Sequence, residues 1–271
     1  MRLQLTILAL VGCASPSGGG KSSPVVDTGG PALPEVEAST ATPSWTAEDV
    51  GARLSDALSV PPLGGDALFA YLDLMSRGDE ECPGNVHHIT DTWLHGCTAS
   101  TGYSYAGVSE YFEDPVGEPF PATVYGVAGD FWIITPEGSL FEAGGHAVEV
   151  AGDALWVSEV AGSWLWEDGP GWLASGFSGT LVLEKVEGIH ARVHGAAQVQ
   201  GTSWSANELI LGPSCGLLPM SGRLGLRDPS GGWYTLPLER CDPCGTVSFE
   251  GEVLGEACVD FTGLHAILEE R

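Results

Sequence analysis

Residues 178–184 read SGTLVLE, a segment in which apolar and polar side chains alternate. In an extended strand, Leu181 and Leu183 lie on one face, while Thr180 and Glu184 lie on the other. This alternation is typical of an antiparallel sheet with one packed face and one face in water. The segment therefore predicts a β-strand and indicates the fold class of the chain around it.

Similar runs, separated by turn residues, continue from residue 103 to the end of the chain. The separators include Gly-Asp pairs at 129–130 and 152–153, PEG at 136–138, EG at 187–188 and PSGG at 229–232. All are typical of hairpin turns. The runs FWII at 131–134 and LWV at 155–157 are apolar on both faces and are expected to be covered on both sides. We predict an all-β domain, mainly an antiparallel meander that curls into a sandwich or a flattened barrel.

Two short helices are predicted before this β region. The first begins with TAED at 46–49, which has the pattern of a capping box, and ends at the prolines at 61 and 62. The second runs from about Asp66 to Arg77, with apolar residues on one face and Gly78 as its C-terminal stop. Both helices are expected to pack against the sheet.

The charge and the glycine content narrow the class of protein. The 271 residues include 36 acidic and 10 basic side chains, for a net charge of -26. Because binding of nucleic-acid phosphates needs clustered Lys and Arg, a nucleic-acid partner is excluded. The hydrophobic fraction of 43% is high enough for a folded core. The 39 glycines are expected at the turns, bulges and bends of the sheet.

The N-terminus has the pattern of an export signal. A short basic start is followed by an apolar run at 3–12, which is too short to span a bilayer, for which ~20 residues are needed. The residues LVGC at 10–13 resemble the lipobox of bacterial lipoproteins. That resemblance covers the first 13 residues only. It implies cleavage before Cys13, lipid attachment to Cys13, and anchoring in the cell envelope at the outer membrane. The resemblance leaves both the periplasmic face and the surface face of that membrane open.

An ordinary secretory signal with a chance Cys13 is the alternative to this lipobox. With the lipobox, the chain divides into a signal peptide at 1–12, a lipidated cysteine with a flexible tether at 13–44, and one globular domain at 45–271. The tether is rich in Ser, Gly and Pro and has too few apolar residues to fold. The domain divides into a helical part at 45–78, a disulfide loop at 79–102 and a β part at 103–271.

Six cysteines remain after Cys13, and an even number in an exported chain predicts a disulfide framework: Cys82, Cys97, Cys215, Cys241, Cys244 and Cys258. Proximity in sequence pairs Cys82 with Cys97. A hairpin that turns at 251–252 favours Cys244 with Cys258, which leaves Cys215 with Cys241, although the swapped pairing stays open. A zinc site or a redox motif at 241–244 is the weaker alternative, because the motif leads into a strand instead of a helix.

The sequence also contains weak candidates for chemistry. Four side chains of the disulfide loop are candidate metal ligands: His87, His88, Asp91 and His95. If this segment were helical, they could share one face and bind a metal. A polar surface loop is the favoured interpretation of that segment. GPSCG at 212–216 matches the nucleophile motif G-x-S-x-G, but the strand–turn–helix context is missing. We therefore expect no catalytic residues and no cofactor.

Four tryptophans in one segment are the candidate ligand contacts: Trp156, Trp164, Trp166 and Trp172. Exposed beside carboxylates, they would bind sugars, whereas buried they would be core residues, which is the favoured interpretation. The sequence favours a non-catalytic structural, adhesive or ligand-binding module, attached to the membrane by its lipid, with a glycan or an envelope protein as partner. The alternatives are an exported glycan hydrolase with a Trp-lined acidic groove and a carrier of lipid or lipoprotein.

Overall fold

The structure is a computed structural model that describes residues 41–83, 91–117, 121–216 and 218–270, with the backbone alone for 91–95. The chain divides into two units, Met1–Ala38 and Ser39–Arg271, and the described residues belong to the second. Within them, twelve strands form one sheet in which each strand pairs antiparallel with its neighbour in sequence. This order confirms the predicted antiparallel meander.

The strands are β1 (Asp91–Thr98), β2 (Ser104–Val116), β3 (Ala122–Ile134), β4 (Leu140–Gly152), β5 (Leu155–Trp166), β6 (Phe177–Val186), β7 (His190–Val199), β8 (Thr202–Leu211), β9 (Pro219–Arg227), β10 (Trp233–Glu239), β11 (Cys244–Phe249) and β12 (Glu252–Cys258). A 3₁₀ turn at Pro213–Cys215 connects β8 to β9. The helices are α1 (Ala47–Ser59), α2 (Gly64–Met75), the single turn α3 (Trp172–Ser175) and α4 (Thr262–Glu270).

The two predicted helices are confirmed as α1 and α2. At the start of α1, the backbone N–H of Asp49 donates to the Thr46 hydroxyl (3.2 Å) and the N–H of Thr46 donates to the Asp49 carboxylate (3.0 Å), which completes the capping box. Helix α1 packs against β9, β11 and β12, whereas α2 packs against β3, β4 and β5. The inner face of the sheet and the helices therefore enclose the larger of two hydrophobic clusters among the described residues.

The prediction that both apolar runs are covered on two sides is only half right. Leu155, Trp156 and Val157 of β5 are all buried. On β3, however, Trp132 and Ile134 are 41% and 36% exposed, since their even-numbered positions point to the outer face of the sheet. The outer face does not bury these two large side chains.

The Gly-Asp pair at 129–130 is not a hairpin turn, because it lies in the middle of β3. Gly129 instead begins a row of glycines that crosses four neighbouring strands through paired positions: Gly129, Gly145, Gly162 and Gly179. A Cβ atom on Gly162 would lie 2.0 Å from the carbonyl oxygen of Gly144. The strands approach too closely here for side chains, and part of the glycine excess serves this line of close contact.

The three predicted disulfides are present: Cys82–Cys97, Cys215–Cys241 and Cys244–Cys258. Cys244 and Cys258 face each other in the register of β11 and β12, as the predicted hairpin requires. The swapped pairing is therefore wrong. Both cysteines at 241–244 are consumed in disulfides, which leaves no thiolate there for zinc or redox chemistry.

No helix in the described ranges is long and apolar enough to cross a membrane.

Candidate functional site

Three of the four candidate tryptophans are buried in the core, namely Trp156, Trp164 and Trp172, and Trp166 is partly buried. Trp156 and Trp164 are buried on the inner face of β5, where Trp164 packs edge-on against Phe131 with a centroid distance of 6.3 Å. Their burial agrees with the favoured interpretation of these two as core residues. Trp166 is partly buried at the end of β5, and Trp172 lies in α3. Trp166 and Trp172 line one open groove, and Trp164 lines another.

A buried polar cluster positions helix α2 beside that groove. The Glu149 carboxylate is buried and accepts a hydrogen bond from the Trp156 indole at 2.5 Å. The backbone N–H of Gly64 donates to the Ser158 hydroxyl at 2.7 Å, at the first residue of α2. A Cβ on Gly65 would lie 2.9 Å from the Glu149 carboxylate. The positive end of the helix dipole therefore lies against a buried carboxylate, and glycine allows the close approach.

The groove between α2 and α3 has a volume of about 360 Å³, and we call it the aromatic groove. Its main lining side chains are Val60, Asp66, Phe69, Asp73, Trp166 and Trp172. Phe69 is 67% exposed and Val60 is 61% exposed. Large apolar side chains that stay in water together at the edge of a concave surface are typical of binding sites.

Two carboxylates lie in the aromatic groove, and both belong to α2. The Trp172 indole N–H donates to Asp66 at 2.9 Å. Asp73 forms an exposed ion pair with Arg77, with an N–O distance of 2.9 Å. Seven residues of helix separate the two aspartates by ~10 Å along one wall. They therefore do not face each other across the groove as the acid and base of a glycosidase do.

A second groove adjoins the aromatic groove, and a third adjoins the second. The central groove, of about 430 Å³, lies between α1 and the turn from β7 to β8, and its main lining residues are Arg53, Asp56, Val60, Trp172, Gln200 and Trp204. The polar groove, of about 350 Å³, lies near the ends of β4 to β7, and its main polar residues are Glu142, Ser163, Ser175, Ser178, Gln198 and Gln200. Sequence reasoning missed both grooves, because each combines elements that are distant in the chain.

The candidate metal ligands are not brought together by the described structure. His87 and His88 lie outside the described residues, as does Cys13. Asp91 and His95 lie on β1, a strand, so the helical spacing that suggested a shared face does not apply to these two. Among the residues described, no three or more His, Cys, Asp or Glu side chains are arranged to bind a metal ion.

One ion pair on the sheet was not anticipated from the sequence. His146 of β4 and Glu159 of β5 are joined at 2.9 Å. The hydrogen bond to Glu159 raises the pKa of His146, and the same bond lowers the pKa of Glu159. Because both side chains are partly exposed, this ion pair contributes little to the free energy of unfolding.

Comparison of the chain with protein-family models, with curated proteins and with solved structures finds no match.

Proposed function

We propose that this chain is a lipid-anchored lipoprotein of the cell envelope whose β domain is a non-catalytic module that binds glycan in the aromatic groove. The exposure of Phe69 and Val60 in the groove that Trp166 and Trp172 also line is the observation that carries the proposal. The C–H faces of a sugar pack against aromatic rings, while its hydroxyls donate to carboxylates such as Asp66 and Asp73. The net charge of -26 favours a neutral glycan over an anionic one.

The arrangement favours binding over the two alternatives. A hydrolase needs two carboxylates on opposite sides of the scissile bond, whereas Asp66 and Asp73 share one wall. A carrier needs an apolar cavity for an acyl chain. The inner face of this sheet is instead occupied by α1, α2 and core aromatic side chains such as Phe131 and Trp164.

The aromatic groove is tested by a Phe69→Ala variant. We expect its affinity for neutral β-1,4-linked oligosaccharides of glucose or N-acetylglucosamine to fall about fivefold, because loss of an aromatic stacking contact costs ~1 kcal/mol. Isothermal titration calorimetry measures the change. Val253→Ala is the matched control, since Val253 is an exposed apolar residue of β12 outside the grooves. Equal affinities of the Phe69 and Val253 variants would contradict the assignment, and release of new reducing ends would favour the hydrolase.

The anchor is tested at the cysteine of the lipobox. In a bacterial host fed radiolabelled palmitate, we expect label in the wild-type chain and complete loss of label in Cys13→Ser. The variant should also leave the membrane fraction, because a protein without its lipid chains loses nearly all of its membrane affinity. Ser17→Ala is the control, since it changes the tether and keeps residues 10–13. Equal labelling of wild type and Cys13→Ser would rule out the lipid anchor.

A further inference from the structure

The three grooves adjoin one another in a fixed order around α3. The aromatic and central grooves share Val60, Gly171 and Trp172 in their walls. The central and polar grooves share Gln200, at the turn from β7 to β8. We infer that they form one continuous cleft for a linear chain of several sugar units, an inference that rests on the proposed function and names its ligand more closely.

The size of each groove supports a ligand made of repeated units. The volumes are about 360, 430 and 350 Å³ for the aromatic, central and polar grooves. Each lies within the range of pockets that hold a small molecule, roughly 300–1,000 Å³. A single sugar would fill one groove and leave the adjoining two empty, whereas a linear oligosaccharide contacts all three.

The polar groove presents neutral hydrogen-bonding groups in a row. Ser163, Ser178 and Gln198 occupy paired positions on β5, β6 and β7, so they repeat at the strand spacing of about 4.8 Å. Within the described structure, none of these three side chains hydrogen-bonds to another protein group. Neutral donors and acceptors repeated along a line match the hydroxyls of a glycan chain.

The central groove supplies an ordered cation and an aromatic wall. The Arg53 guanidinium lies 4.2 Å from the centroid of the Trp45 ring, an arrangement that holds the Arg53 side chain in place. Asp56 lies one helical turn further along α1. Donors from Arg53 and acceptors from Asp56 suit the hydroxyls of a sugar, while Asp56, Asp66 and Glu142 along the cleft oppose an anionic polymer.

Gln200 is the residue at the junction of the central and polar grooves. Its φ is 52°, in the left-handed region, and Gly201 follows with a φ of 75°. A two-residue hairpin turn with this backbone accepts glycine more readily than glutamine. The turn does not need the Gln200 side chain, so Gln200→Gly removes a group from the cleft with little change to the fold.

Calorimetric titration with β-1,4-linked N-acetylglucosamine oligomers of two to six units tests the continuous cleft. For the wild-type chain we expect the affinity to rise by at least about tenfold from the dimer to the hexamer, as additional subsites are filled. Gln200→Gly should lose most of that gain with length. Glu208→Gly is the matched control, because Glu208 also has a left-handed φ, 48°, and lines none of the three grooves.

The outcomes separate the inference from the proposed function. Equal affinity for dimer and hexamer would overturn the continuous cleft and leave a single glycan site in the aromatic groove. A Gln200→Gly variant that keeps the full gain with length, at an unchanged melting temperature, would also overturn it. No binding to sugars of any length, with binding to an apolar basic peptide instead, would overturn the proposed function itself.

Discussion

Gly162→Ala is expected to lower the stability of the β domain by about 3–4 kcal/mol. The φ of Gly162 is 94°, and an L side chain in left-handed backbone costs roughly 1–2 kcal/mol. The new Cβ would also lie 2.0 Å from the Gly144 carbonyl oxygen, and overpacking of this kind costs typically 1–3 kcal/mol. The nearest atoms to this Cβ are all backbone atoms of Gly144 and Gly145 on the neighbouring strand β4. The clash therefore cannot be relieved by a change of rotamer.

Thermal unfolding followed by circular dichroism measures this effect. For a domain of this size, 1 kcal/mol corresponds to roughly 2–4 °C, so the melting temperature should fall by about 10 °C. Gly117→Ala is the control, because a Cβ on Gly117 meets no atom of the described residues within 4 Å. The control should stay within about 0.5 kcal/mol of wild type. If the two variants melt together, the glycine row does not constrain the sheet.

Asp228→Ala is the second substitution with a large expected effect. The Asp228 carboxylate follows β9 and is only 2% exposed. It accepts hydrogen bonds from the Ser44 N–H (2.9 Å), the Ser44 hydroxyl (3.0 Å), the Tyr234 hydroxyl (2.6 Å) and the Ser230 N–H (2.7 Å). Trp45 stacks on Tyr234 next to this cluster, with centroids 5.6 Å apart. Asp228 therefore holds the start of the folded domain against the turn from β9 to β10.

Removal of the carboxylate leaves these buried donors without their acceptor, which costs about 3 kcal/mol. Chemical unfolding in urea at pH 7 measures the loss. Asp168→Ala is the control, because Asp168 is exposed and makes no hydrogen bond or ion pair within the described structure. A loss for Asp228→Ala no larger than that of the control would show that Ser44 and Tyr234 find other partners at no cost.

The same substitution has a definite pH dependence. Burial by itself raises the pKa of Asp228, but the hydrogen bonds from Ser230, Tyr234 and Ser44 outweigh it and hold that pKa well below its ordinary value. A lowered pKa in the folded state stabilises the fold above the unfolded pKa of about 4 and loses that contribution as the pH falls further. The difference in unfolding free energy between wild type and Asp228→Ala should be constant from pH 7 to about 5 and shrink below about pH 4. A difference that grows on acidification would contradict this assignment.

Much of the fold could be predicted from local sequence patterns, and the wrong or missed elements also have local explanations. Alternation at 180–184 and the hairpin turns at 187–188 and 229–232 depend on neighbouring residues, and the structure contains them. The Gly-Asp pair at 129–130 has the same composition as a turn, but its glycine serves close strand contact within β3. Helix α4 was missed, although Asp260 caps its first residue and Leu264 and Leu268 are buried one turn apart.

By itself, the sequence determined the antiparallel meander, the two helices before it and the disulfide framework, because alternation, capping and hairpin pairing act between residues close in the chain. Only the tertiary structure decided which tryptophans are buried and which side chains line the grooves. Trp166 and Trp172 line the same groove as Phe69, which is about a hundred residues away in the chain, and Ser44 hydrogen-bonds to Asp228 across a separation of 184. Such contacts depend on how the sheet curves around α1 and α2. That curvature results from the packing of the whole core, so no local sequence pattern predicts it.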